Sequence, residues 1–568
     1  MKIFASSARR LAAVLAAFLL LTALWLFAWK KPLGRDNWFI APRELWPSAA
    51  FLFPLGVLLL CGGFACLCAY DRFRRAKTRR EEKTSLCLSL GALFLFAVLW
   101  PWALLGPRQI AGVYLISATW SDISNQYFST AYRIENARDF TRKYETQQRN
   151  LDVTKSHVAT HPPGAVLFYY AARKIYENVP LVGATFSAIA PGITAASTES
   201  VAQTVRGQLK RSDASDANAP VFPDDAVGSA IWCAFLLSLC VGLTVLAVYK
   251  LASGESSTRL GDNAANVERE KHERRQDERQ REKRGLLGAI LFAFAPSVGL
   301  FAFSLDALVM CLVAWSLVLL SRRLTSDAKG GIAAAFFGGA LLGLATFVSF
   351  GALAVWGLVV FAFALSFGWR AFLTVPQFVV GDVLSRRKPK VHRPISDLAL
   401  ILLGFGAIWF VLILIFPMQI GAIYSRAMNA HHAATLTTRS YAGWALLNGF
   451  FFLLFCGWPL AVGFLRGAWR QIAAARTRQI VLWNAARLWG VAALLLCVAL
   501  SLSGNVRGET ERLWLFLVPP LCAFAATEWC AIEYSKGFSA RFLTLITAFQ
   551  VIQTLAMAST LAPLIRAY

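Results

Sequence analysis

Apolar runs of membrane-spanning length recur along the chain, separated by shorter polar stretches. Runs of about 17–25 apolar residues read as transmembrane helices. The pattern predicts them near residues 11–29, 49–70, 85–105, 226–249, 286–303, 307–320, 332–348, 351–367, 398–417, 445–465, 488–502, 513–530 and 542–564. Two stretches break this rhythm: a long loop over 106–225, and residues 255–284, dense in charge of both signs. The expected class is an all-α polytopic membrane protein with about 13 transmembrane helices, whose large first outer loop carries short amphipathic helices. Residues 1–83 hold two N-terminal helices and a basic loop, and 84–250 open the core and carry the long loop. Residues 251–284 form a charged loop, and 285–568 complete the bundle.

Composition agrees with the pattern. The chain is 57% hydrophobic and 16% charged, with 42 Phe and 19 Trp, more apolar and less charged than a soluble protein of its size. The formal net charge of +25 sits in short clusters between apolar runs, a topology signal rather than the basic face of a nucleic-acid binder. Nucleic acid is therefore excluded as a partner. The eleven cysteines fall almost entirely inside apolar runs, and no pair of C-x-x-C motifs occurs at zinc spacing, so they read as packing residues.

The clusters assign sides. No small-x-small cleavage site follows the first run before Lys30 and Lys31, so it is expected to be an uncleaved helix with a cytoplasmic N-terminus. Arg72, Arg74, Arg75, Lys77, Arg79, Arg80 and Lys83 give the clearest positive-inside mark. Counting from there, the clusters at Arg322/Arg323, Arg386–Arg393, Arg466–Arg478 and Lys536/Arg541 all fall inside. The loop 30–47 fits less well, being basic yet outside, although Lys30 and Lys31 abut a helix end where long side chains can snorkel. No internal repeat is visible.

Residues not used to draw that topology then collect outside. His157, His161, His431 and His432 fall there, with Ser121-Asp122, Asp306 at a span's end, and Arg507-Gly-Glu509-Thr-Glu511-Arg512. Ionisable groups at a membrane border are costly unless used or paired, so this gathering is a candidate site. Asp122 has the chemistry of a general base, since a hydroxyl nucleophile must lose its proton as it attacks; the competing reading is a cap of a helix starting near Ile123. His157 and His161 lie four apart, but Pro162-Pro163 argues against one helix through both, so hydrogen bonding to substrate or to a tight turn is expected rather than a metal pair. A helix is expected over 165–177, opened by Pro-Pro-Gly. Glu135, Asp306 and Arg439 are further substrate-binding candidates. Arg507 and Arg512 suit a lipid phosphate, because guanidinium binds phosphate through paired hydrogen bonds; alternatively they form a Glu–Arg cluster that fixes two helix ends. The carboxylates leave a divalent metal open, and no ligand spacing demands one.

With these residues in place the chain resembles the GT-C superfamily of membrane glycosyltransferases, in particular the protein mannosyltransferase and aminoarabinose transferase group (glycosyltransferase family 39-like). The likeness rests on Ser121-Asp122 with Tyr127 and Ala131, Thr160-His161-Pro162-Pro163-Gly164, Ala295-Pro296 with Ser304-Leu305-Asp306, the glycine-rich 338–343, and Arg507 to Trp514. It covers the layout of most of 84–530. The resemblance implies inverting transfer of a sugar from a polyprenyl-phosphate donor to a glycan, lipid or protein acceptor, at the outer face of a bacterial inner membrane. It implies Asp122 as catalytic base and His161 near the active centre. Two extra spans precede the core, the acid is a lone Asp122 rather than an Asp-Glu pair, and no large C-terminal soluble domain follows. The alternatives are a lipid-linked sugar flippase or transporter, which would want ionisable residues in mid-membrane, and an O-antigen ligase- or polymerase-like enzyme using a lipid diphosphate, whose outer loop usually comes late.

Overall fold

The computed structural model describes residues 2–29, 33–35, 38–40, 78–105, 126–149, 158–194, 226–254, 267–325, 331–366, 394–476, 484–536 and 540–560. The span expected at 49–70 and the start of the long loop, with Asp122 and His157, lie outside the described residues.

The described residues form a helical bundle. Helix α1 (Lys2–Ala23) ends in a π-helical turn and is followed by a small antiparallel hairpin of β1 (Leu33–Arg35) and β2 (Trp38–Ile40). Helix α2 (Arg79–Leu105) leads to the long loop, which contains α3 (Tyr127–Tyr132), α4 (Ala137–Arg149), α5 (Gly164–Asn178) and α6 (Pro180–Thr194). Then come α7 (Ala226–Ala252), α8 (Val267–Ala293), the short α9 (Pro296–Leu300), α10 (Leu305–Thr325), α11 (Gly331–Val348) and α12 (Phe350–Ser366). The chain closes with α13 (Pro394–Ile415), α14 (Ile420–His431), α15 (Tyr441–Cys456), α16 (Trp458–Arg476), α17 (Ala485–Ser503), α18 (Thr510–Leu513), α19 (Val518–Lys536) and α20 (Ala540–Thr560). Among the described residues, six helices are long and apolar enough to cross a membrane: α2, α7, α10, α11, α13 and α17. Several of the others are apolar but shorter.

Two expected spans are interrupted. The run at 286–303 is the end of α8, a break at Phe294–Ala295 and then α9, because Pro296 cannot continue the helical hydrogen bonding. The run at 445–465 is divided between α15 and α16 at Gly457, whose φ of 92° is open to glycine.

Helix α7 is the hub, packing against α2, α6, α8, α10 and α19. Helices α10, α11 and α13 form a layer at one side, where glycines bring backbones together. A Cβ on Gly339 would lie 2.0 Å from the Ile401 carbonyl oxygen, and one on Gly404 would lie 1.9 Å from that of Phe336. Small residues allow this approach, which van der Waals packing then holds. The far side of α13 presents Leu403, Phe410 and Leu414, all exposed, as a lipid-facing helix does.

The two ends of the bundle carry different chemistry. At one end, ion pairs join helices: Arg79 to Glu278, Arg279 to Glu82, Arg323 to Asp397, and Arg470 with Arg487 to Glu528. The other end holds the candidate site.

Candidate active site

The His161-Pro-Pro-Gly segment is a turn held from below by an amphipathic helix. Val158–Thr160 make one 3-10 turn, and α5 starts at Gly164 with Pro163 at its N-cap, as the Pro-Pro-Gly predicts. Tyr144 and Gln148, four apart on α4, face this turn together. The Tyr144 hydroxyl donates to the carbonyls of Val158 (3.1 Å) and His161 (2.9 Å), and Gln148 donates to those of Ala159 and His161 (3.2 Å each). Their spacing on a helix was the available signal, and polar residues on its buried face were its sign. Gly164 permits the contact beneath, because a Cβ there would lie 2.0 Å from the Phe347 carbonyl oxygen at the end of α11. The imidazole Nδ1 of His161 lies 2.9 Å from Thr160 Oγ1, and the ring meets Tyr127 edge to face at 5.3 Å. Tyr127 is buried, and burial drives its phenol well above its usual pKa, so it is neutral.

Helix α4 is tied to α14 by Glu145. Arg149 and Arg426 both donate to its carboxylate and hold its pKa below the usual range. His431, at the end of α14, bonds the Asn505 carbonyl through Nε2 at 2.7 Å, while His432 is exposed. The adjacent pair thus points two ways.

The late loop between α17 and α19 is a braced structure. Arg507 directs its guanidinium at backbone carbonyls of Gly504 (3.0 Å), Leu436 (2.7 Å) and Arg439 (2.5 Å). Arg439 donates to the Arg507 carbonyl at 2.6 Å and pairs with Glu509 at 3.1 Å. Asn448 is fully buried, donating to the Val506 carbonyl and accepting from the Gly508 amide. Glu509 adopts a left-handed backbone, φ 60°, unusual for a residue with a side chain. Its carboxylate is bridged by Arg439 and Arg512, which offsets the local strain.

Arg512 joins this loop to α10. Its guanidinium lies 3.0 Å from Glu509 and 3.6 Å from Asp306 at the first turn of α10. Burial works against its charge, but Asp306 and Glu509 more than offset that and raise its pKa. Its side chain remains 30% exposed. Tyr127 lies within electrostatic reach of both Arg512 and Asp306. The structure therefore brings His161, Asp306, Arg439, Arg507 and Arg512 to one end of the bundle, from segments far apart in sequence. Glu135 is separate in character, exposed on the turn between α3 and α4. Arg439 and Arg507 are braces in this structure, and Arg512 is paired with two carboxylates yet partly exposed. No group of three or more His, Cys, Asp or Glu side chains gathers as a metal site would among the described residues.

Glu511 is the unexpected member. It is 1% exposed, and neither carboxylate oxygen has a hydrogen-bond partner from another residue among the described residues. Burial raises its pKa from 4.5 to about 7, and the nearby Glu509 charge acts in the same direction. Because the folded value lies above the unfolded one, the folded state holds a proton that the unfolded state releases. Stability therefore falls as pH rises from 4.5 to about 7. Glu511→Gln should flatten thermal stability across that window and exceed the wild type above it, by on the order of 3 kcal/mol. Parallel melting curves for the two proteins from pH 4 to 8 would contradict this.

Compared with models of known protein families and with curated proteins, the chain gives no significant match to either.

Proposed function

We propose that the chain is a membrane glycosyltransferase of the GT-C type, with about 13 spans, that moves a sugar from a polyprenyl phosphate to an acceptor. The observation that carries this reading is the meeting of the early His161–Tyr127 turn with the late Arg512–Glu509 loop and Asp306, at one end of an apolar bundle. A flippase would instead place ionisable groups along a mid-membrane path.

The chemistry follows from what the transfer needs. The acceptor hydroxyl oxygen attacks the anomeric carbon, the bond from that carbon to the phosphate oxygen breaks, and the configuration inverts. Asp122 takes the hydroxyl proton as the new bond forms. The polyprenyl phosphate departs with both electrons of the broken bond, and Arg512 stabilises the charge that develops on it. His161, fixed through its carbonyl by Tyr144 and Gln148, hydrogen-bonds the sugar or acceptor. The apolar spans seat the polyprenyl tail. The N-terminus is assigned to the cytoplasm, and the reacting end to the outer face of a bacterial inner membrane, because the basic clusters then lie inside.

The test is release of free polyprenyl phosphate by reconstituted protein supplied with a panel of polyprenyl-phosphate sugars and candidate acceptors. Turnover with one donor supports the reading and identifies the sugar. Release from lipid diphosphate donors alone would replace it with the ligase or polymerase reading.

A further inference from the structure

The end of the bundle opposite the candidate site holds an arginine with no ion-pair partner of its own among the described residues. Arg284, on α8, makes no hydrogen bond or ion pair among the described residues, and its Nε is buried. It is not alone there. Arg281 on the same helix and Arg487 on α17 lie within electrostatic reach, as does Asp277, which is already paired with Arg281. Arg487 in turn neighbours Arg470 of α16, and both pair with the fully buried Glu528 of α19, at 3.6 Å and 2.7 Å. Among the described residues the group thus has four guanidiniums and two carboxylates, each carboxylate already engaged. Burial lowers the pKa of Arg284; Cys530 and Asp277 act the other way, and the charges of Arg281 and Arg487 oppose them. A guanidinium does not escape by losing its proton under ordinary conditions. A partly buried cation among cations is unfavourable unless an anion completes it.

We propose that Arg284, with Arg487 and Arg470, forms a binding site for a phosphate-bearing anion at the ion-paired end of the bundle, such as the phosphodiester of an acidic membrane lipid. Arginine suits phosphate because its planar fork makes two parallel hydrogen bonds. Four helices converge there (α8, α16, α17 and α19), and basic pockets between helices are where acidic lipid headgroups are held. Glu528 links Arg470 to Arg487, the neighbour of Arg284, through its two ion pairs. The site is independent of the transfer chemistry assigned to the opposite end.

The test compares full-length wild type with Arg284→Gln and Arg284→Lys in vesicles of phosphatidylcholine with and without phosphatidylglycerol. Retained lipid is counted by native mass spectrometry, and melting is followed in each membrane. Wild type should retain phosphatidylglycerol and melt higher in its presence. Arg284→Gln should bind it about fivefold more weakly, as expected for one basic group at an anionic headgroup, and Arg284→Lys should recover part of the loss. In pure phosphatidylcholine, Arg284→Gln should melt no lower than wild type, since it removes an unpaired charge. Inorganic phosphate distinguishes the source: protection of wild type but not Arg284→Gln by phosphate, without lipid preference, assigns the site to a free anion. Equal lipid retention and equal phosphate response in wild type and Arg284→Gln would overturn the proposal.

Discussion

Asp122→Asn should leave the protein folded and lower sugar transfer by at least about a hundredfold, the lower end of what a positioned general base contributes. The amide keeps the shape of the carboxylate and loses the ability to take the acceptor proton. The readout is release of polyprenyl phosphate, with melting temperature as the control for folding. A second variant sharpens the outcome. Asp306→Asn removes one of the two carboxylates that hold Arg512, leaving Glu509 as its partner. It should impair binding of the phosphate leaving group, raising KM for the donor as well as lowering kcat, while Asp122→Asn should act mainly on kcat. If Asp122→Asn turned over normally, Asp122 would be a helix cap and the base would be sought first at Asp306, as a loss of kcat in Asp306→Asn with KM for the donor unchanged. Glu135 and Asp139 are weaker candidates because both side chains are exposed, where water competes for the same proton and orientation is loose.

The largest expected effect on stability is at the α11–α13 crossing. Gly339→Leu should destabilise the protein by about 3 kcal/mol or more, because the added Cβ meets a backbone carbonyl and not a movable side chain. The helices cannot separate locally, since Gly404 contacts the facing backbone in the reciprocal direction and Gly343 lies against Ile408. The matched control is Gly406→Leu, on the facing helix α13 two residues from Gly404, where a Cβ would meet nothing within 4 Å. That variant should melt near the wild type or above it, given the gain in helix propensity. Thermal unfolding of the two purified variants decides the point, and a similar loss in both would mean that general lipid-facing bulk, not the crossing, sets the cost.

Much of the framework could be read from local pattern. Long apolar runs located the membrane-length helices at α2, α7, α10, α11, α13 and α17, because transfer of a helix into lipid depends on its own side chains. Pro162-Pro163-Gly164 located the start of α5 for an equally local reason, since proline at a helix start forfeits no hydrogen bond. Hydropathy was blind to the breaks at Phe294–Ala295 and Gly457, where apolar side chains continue through a change of backbone direction. It was equally blind to how charges are used. Arg439, Arg507 and Arg512 are alike as sequence, yet the first two brace backbone carbonyls and a carboxylate while the third bridges Asp306 and Glu509. Glu511 differs from its neighbour Glu509 only in what surrounds it: one is sealed with no partner residue among those described and the other lies between two arginines. These roles depend on contacts between segments as far apart as 206 positions, as for Asp306 and Arg512. No local window contains both partners, so composition and spacing could name the charged residues, and only the tertiary structure could assign each its counter-charge, its burial and its access to a ligand.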